Sequence, residues 1–268
     1  MHTIHGEREI LGVTSLDDKL YVLRAQQSTI DVYSTTDFTS CSPLTVPGLS
    51  EPTDIASCKR YVCLYVSESS KQCIHKLQLN GSTTKWSLCD YKPSGLSVTS
   101  TGNLLIACRQ SLWWKRQFAC IGLLEVTGDK GNKLREIEIQ EETHTRYLQH
   151  CVQLTTNQFV TCQTNIDSSR RSIGIVGVDG RVTRTCHAVG QSSQLVKPCY
   201  LAVDTDSQII FVADESKRSI ALLSPTLDFV RHITEGLSGE PRRLHFDPMK
   251  QRLYVGLSSG HVTVLQLG

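Results

Sequence analysis

The 268-residue sequence lacks several features that would place it quickly. No apolar run approaches the ~18 residues of a membrane-spanning helix, and the opening MHTIHGERE carries no apolar leader segment. A membrane partner and secretion are therefore not expected. Eleven cysteines occur, an odd number, without a single Cys-x-x-Cys, so neither a zinc knuckle nor a dithiol redox motif is indicated. Nine histidines include no H-x-x-x-H pair. No amphipathic helical period appears, and no linker-like composition shift divides the chain. Neither charge sign dominates: the formal net charge is +2 at pH 7, which favours no class of partner.

What the chain does contain is short β-prone runs. Between Pro198 and Thr234 lie CYLAVD, IIFVAD, SIALLS and LDFVRHI, separated by turn formers at Asp206-Ser207, Ser216 and Ser224-Pro225. Four such runs at close spacing read as an antiparallel four-stranded sheet. A lone sheet of this kind cannot bury both apolar faces. The rest of the sequence repeats the pattern. Gly12, Asp54, Gly95, His150, Tyr200 and Arg243 open the innermost strand of each unit, at steps of 42, 41, 55, 50 and 43 residues. That period predicts one all-β domain, residues 1–268: a six-bladed propeller with four antiparallel strands per blade. The blades are expected at about 10–50, 51–92, 93–142, 143–196, 197–238 and 239–268. The last unit has three strands, and a ring must close. Residues 2–9 are expected to supply the missing strand. Cys63, Cys108, Cys120, Cys151, Cys162 and Cys199 fall inside predicted strands as small buried hydrophobes. A reducing, cytoplasmic setting follows as the expectation. Asn80-Gly81-Ser82 is a glycosylation sequon, here expected to be a hairpin turn.

Catalytic patterns are weak. Gly256-Leu257-Ser258-Ser259-Gly260 matches a nucleophile elbow, but a strand-like run follows where that motif needs a helix. It is expected to be a hairpin loop. Asp204-Thr205-Asp206 is expected to serve as turn chemistry. Asp54 and His150 are placed to line a central channel, but Gly12, Gly95, Tyr200 and Arg243 stand at the equivalent positions. No catalytic residue, metal or cofactor is expected on this basis.

Loops between second and third strands, and between blades, share one face. The binding candidates placed there are Trp113, Trp114, Lys115, Arg116, Arg146, Tyr147, Arg170, Arg171, Lys217, Arg218, Arg242 and Arg243. Glu51, Glu68, Asp90, Glu141, Glu142, Glu215, Glu235 and Glu240 fall on the same face and temper its charge. Cations interleaved with aromatics suit single-stranded nucleic acid, since phosphates need positive charge and unstacked bases need flat partners.

LAVD (Leu201–Asp204), IIFVAD (Ile209–Asp214), Ile220 and Leu227–Val230 of the fifth unit resemble an NHL repeat. Prolines leading into units (Pro52, Pro93, Pro198, Pro241) are similar to that family, and the sixth unit (LHFDPMKQRLYVG) resembles it more weakly. The first four units lack the aspartate after the second strand. The resemblance implies a propeller like those ending tripartite-motif proteins, several of which bind RNA or protein. Ubiquitin-ligase chemistry, if any, would reside in segments outside this sequence. Related six-bladed propellers include metal-dependent lactonases and lyases, so fold alone leaves function open. The leading expectation is a monomeric, non-catalytic protein- or peptide-binding module. Single-stranded RNA binding on the same face is the second, and a lactonase- or lyase-like channel enzyme the third.

Overall fold

A computed structural model describes residues 1–89, 91–110, 121–140, 146–165, 170–188 and 194–267. Among these residues there is no helix. Six four-stranded antiparallel sheets form a six-bladed β-propeller. The first blade is β2 (Ile10–Leu16), β3 (Lys19–Arg24), β4 (Thr29–Ser34) and β5 (Ser40–Thr45). The second is β6 (Asp54–Cys58), β7 (Cys63–Glu68), β8 (Cys73–Gln78) and β9 (Thr83–Ser87), and the third β10 (Tyr91–Val98), β11 (Leu104–Gln110), β12 (Ile121–Val126) and β13 (Lys133–Glu138). The fourth is β14 (Arg146–Thr155), β15 (Gln158–Asn165), β16 (Arg171–Gly177) and β17 (Val182–His187). The fifth is β18 (Pro198–Val203), β19 (Ile210–Asp214), β20 (Ser219–Leu223) and β21 (Phe229–Ile233). The sixth combines β22 (Pro241–Asp247), β23 (Arg252–Leu257) and β24 (Val262–Gln266) with β1 (His2–Ile4).

The core is a ring of six interfaces rather than one central mass. Each hydrophobic cluster joins two neighbouring blades; Val152, Val160 and Ile173 of the fourth, for example, pack on Leu201, Val212 and Ala221 of the fifth. A sheet covered on both faces needs apolar residues at successive positions, and β20 (SIALL) is buried throughout. The outermost strand is wetted at the rim, so β21 (FVRHI) is only partly covered.

Ring closure comes from β1, which pairs antiparallel with β24 through His2↔Val264, Thr3↔Thr263 and Ile4↔Val262. Arg24 ties the same seam. Its Nη1 donates to the carbonyls of Gly260 (2.6 Å) and Arg8 (3.1 Å), while Nε pairs with Asp31 at 2.6 Å. The Gly256–Gly260 stretch is the β23–β24 hairpin. Asp204 caps its own turn, accepting from Asp206 N (3.1 Å) and Ser207 Oγ (2.6 Å).

A bulge recurs where five of the six inner strands near the axis; β6 pairs with β7 in unbroken register. Register shifts fall between Ile10 and Gly12, Pro93 and Gly95, Leu148 and His150, Pro198 and Tyr200, and Pro241 and Arg243. A bulge re-aims side chains by opposing two residues to one. Here it turns one residue toward the mouth of the channel and the next toward its axis.

Candidate functional site

The six inner-strand residues aligned in the sequence meet at the axis and plug it. Tyr200 Oη donates to Asp54, at 2.7 Å from Oδ2 and 2.9 Å from Oδ1. Leu96 N (2.8 Å) and Ile55 N (2.9 Å) donate to the same carboxylate. His150 stacks on Tyr200 with ring centroids 3.6 Å apart, and the Arg243 guanidinium lies 5.2 Å from the Tyr200 ring centre. Arg243 is held by Nε donation to Leu11 O and by Nη1 donation to Arg242 O at 2.9 Å. Gly12 and Gly95 make room for this cluster. A Cβ at Gly12 would sit 3.0 Å from Asp54 Oδ1 and 2.6 Å from Ile55 Cγ2; one at Gly95 would sit 2.5 Å from Gln149 O. The glycines are therefore steric partners of the plug.

The plug's ionisation follows from burial. Asp54 is fully buried, which pushes its carboxyl up to about 6; Arg243 and the hydrogen bonds from Leu96, Tyr200 and Ile55 restrain the rise. Burial lowers His150 to about 3, against the pull of the Leu96 carbonyl, with Arg243 adding to the drop. His150 Nε2 lies 3.0 Å from that carbonyl, so the neutral ring donates there and Nδ1 is left a buried, unpartnered acceptor.

These shifts give a pH prediction. Folded His150 stays neutral down to about pH 3, whereas an unfolded imidazole gains a proton near 6.5. Between those values the unfolded chain binds more protons, so this residue's contribution falls as pH drops. Asp54 acts oppositely between 3.8 and about 6, because its folded carboxyl retains a proton that the unfolded one has lost. Comparing wild type with His150→Gln cancels the Asp54 part. From pH 7 to 4.5, denaturant unfolding should show the wild type losing about 2–3 kcal/mol more than the variant. Parallel pH profiles would contradict the assignment.

The plug separates two recesses. The one on the interblade side measures about 170 Å³ and is lined by Thr53, Ser94, Tyr147, Gln149, Arg171, Cys199, Glu215, Arg242 and the two plug residues Tyr200 and Arg243. Ser94, Gln149, Cys199 and Arg242 are the bulged residues, so the irregular backbone builds this mouth. Its charge centre is Glu215, whose carboxylate meets Arg242 at 2.6 Å, Lys197 at 2.7 Å and Arg171 at 3.7 Å. Arg242 also reaches Glu9 at 3.1 Å and Glu240 at 3.7 Å on the rim. Arg171, Lys197 and Arg242 are thus paired with Glu215, Glu9 and Glu240, three charges of each sign, beside the plug residue Arg243.

The second recess, about 180 Å³, opens on the opposite side and is lined by Thr14, Ser57, Ser97, His150, Gln153 and His245 among others. Ser15 Oγ lies 2.9 Å from His245 Nε2 and 3.1 Å from Asp247 Oδ2. This is not a proton relay. In a nucleophilic triad the carboxylate orients the imidazole, but here both contact the hydroxyl, and Ser15 is buried away from substrate.

The candidate residues divide three ways. Tyr147, Arg171, Arg242 and Arg243 converge on the interblade mouth. Arg170 and Arg218 are exposed on strand 2–3 loops of the fourth and fifth blades, with Lys217 half-buried beside Arg218. Trp113, Trp114, Lys115 and Arg116 lie outside the described residues, as does the Arg146 side chain. Lys197 and Glu215, central to the mouth, are singled out by no motif. The second recess, with His245, Thr14 and Ser57, is likewise unmarked.

No protein-family model matches the sequence, and no curated protein matches it. Among solved structures, the chain is similar to hydrazine synthase of Kuenenia stuttgartiensis, with TM-score 0.68 and 13% identity over 99% of this chain and 98% of the other. It is similar to virginiamycin B lyase of Staphylococcus aureus, with TM-score 0.65 and 12% identity over 100% and 99% of the two chains. The WD40 propeller domain of Doa1 is also similar, with TM-score 0.63 and 15% identity over 98% and 95%. At such identities the likeness establishes the propeller shape alone, and propellers of this shape include both enzymes and binding domains.

Proposed function

We propose that this propeller is a non-catalytic binding module that engages a protein or peptide at its interblade mouth. The observation carrying this reading is the balanced ion-pair hub around Glu215. Mixed charge with exposed rim partners suits a protein surface, where acidic and basic groups can exchange into the existing pairs. The recess is well below the volume of most drug-sized ligand pockets, ~300 Å³ and upward, so it accommodates a single inserted side chain.

Single-stranded RNA is the second reading, and it rests on the Trp113–Arg116 stretch. Within the described mouth, RNA is less well served. Arg171, Lys197 and Arg242 are already paired with carboxylates rather than free for phosphates, and Tyr200 is already stacked on His150. The NHL-like reading draws on Asp214, which ends β19 and accepts from Val196 N (2.7 Å) and Lys197 N (3.0 Å), stapling the incoming interblade loop. A monomeric domain in a reducing compartment, the cytoplasm, completes the proposal; most of the described cysteines are buried in strands, as suits small apolar side chains.

The test is crosslinking mass spectrometry on captured partners, with affinities measured for the strongest. Combined Arg170→Glu, Lys197→Glu and Arg218→Glu should weaken a protein partner at least tenfold. Lys59→Glu with Arg60→Glu, on the opposite face, should leave it unchanged. Equal loss from both sets would refute the assignment. Salt-steep retention of short RNA pools would favour the second reading instead.

A further inference from the structure

We propose that Glu68, Cys73 and His75 form a zinc site in the second blade. Glu68 ends β7, and Cys73 and His75 stand two residues apart on β8, so the strand period points both side chains to one face of the sheet. Glu68 Oε2, His75 Nε2 and Cys73 Sγ converge, with O···N 3.0 Å, S···N 3.6 Å and S···O 3.9 Å. Tetrahedral zinc, with bonds near 2.0 Å to nitrogen and oxygen and near 2.3 Å to sulfur, requires separations of about 3.3, 3.6 and 3.5 Å. The three donors therefore already span one face of the tetrahedron to within about 0.4 Å. The fourth position falls to water.

The Glu68 carboxylate is also oriented for ligation. All three residues are buried. Glu68 Oε1 is occupied by Ser50 Oγ (2.6 Å), Ser50 N (3.2 Å), Glu51 N (3.1 Å) and Lys71 Nζ (3.0 Å), which orient the carboxylate and leave Oε2 for the cluster. Zinc with one carboxylate and one thiolate is a neutral unit. Its burial costs less than that of the free ion. On binding, the Cys73 thiol releases its proton to solvent, and the His75 proton moves to Nδ1, which no hydrogen bond now occupies.

The fifth blade supplies an internal comparison. Asp214 occupies the ladder position of Glu68 and staples its interblade loop in the same way. Opposite Asp214 stands Ser219, and the position matching His75 is Ala221. The staple thus needs neither thiol nor imidazole, so the pairing of Cys73 with His75 beside Glu68 asks for a separate explanation. Metal ligation provides one.

The experiment uses the full chain, reduced, stripped with chelator and titrated with Zn²⁺ and with Co²⁺. One equivalent should bind, raise Tm, and with Co²⁺ give thiolate-to-metal charge-transfer absorption together with the visible bands of a tetrahedral ion. Cys73→Ser should remove the charge-transfer band and weaken binding on the order of 100-fold or more; His75→Gln should weaken binding to a similar extent while keeping the thiolate; Cys41→Ala should retain both signals. If Cys73→Ser fails to fold, the Co²⁺ spectrum of the wild type decides: no thiolate band overturns the site. Unchanged binding in folded Cys73→Ser overturns it equally.

Discussion

Asp54→Ala should destabilise the protein by about 3–5 kcal/mol, far more than any single surface change. The carboxylate is the acceptor for Tyr200 Oη and for the amides of Leu96 and Ile55, donors from three different blades. Removing it strands those donors in a dry channel and leaves the Arg243 charge without its buried counterpart. Replacing a polar group without its partners costs the desolvation of every group left behind. Asp54→Asn keeps the volume but turns an acceptor-only group into one that also donates, so a loss of intermediate size is expected. Equilibrium unfolding in urea measures both. A cost under about 1 kcal/mol for Asp54→Ala would mean that the plug does not hold the blades together.

Deleting residues 1–5 should have the second large effect. Ile4, 6% exposed, sits in the cluster joining the sixth blade to the first, with Ile10, Val13, Val262 and Val264. Losing its burial costs about 2–3 kcal/mol, and the broken ladder to β24 adds roughly 0.5–1.5 kcal/mol per hydrogen bond. For a domain of this size that corresponds to a fall in Tm of roughly 10–20 °C. The exposed β24 edge should then promote concentration-dependent association, because a bare edge strand templates pairing with another chain. Thermal melts and light scattering across a dilution series check both parts. An unchanged Tm would show that the seam is carried by Arg24 and the side-chain contacts alone.

Much of the architecture is visible in local patterns. Short runs of β-branched and aromatic residues, turn formers between them, and a period near 42 residues specify strands, hairpins and repeat number together. The position of each inner strand is equally legible. Pro52, Pro93, Pro198 and Pro241 each stand two residues before an axis residue; Pro198 and Pro241 open their strands, where no ladder donor is needed, while Pro52 precedes β6 and Pro93 lies at the bulge of β10. Reading by residue identity hides one equivalence. The carboxylate that follows the second strand in the fifth unit as Asp214 is present in the second unit as Glu68, one methylene longer, with the same loop amides as partners.

The site is less legible, because its members are close only in three dimensions. Asp54 and Tyr200 are separated by 146 residues and nothing in either neighbourhood announces the other. Arg171, Lys197, Glu215 and Arg242 belong to three blades, and their convergence depends on bulges that shift one strand against its neighbour. A sorted list of loop charges counts Arg171, Lys197 and Arg242 as surface cations, whereas the folded ring pairs all three with Glu215. From the order of its residues alone, this chain declares itself a closed ring of six sheets, since periodicity and turn chemistry are local. How the axis side chains bond to one another, and that the mouth's cations are paired with carboxylates, was decided by the folded ring, because desolvation and ion pairing depend on distances that no sequence interval encodes.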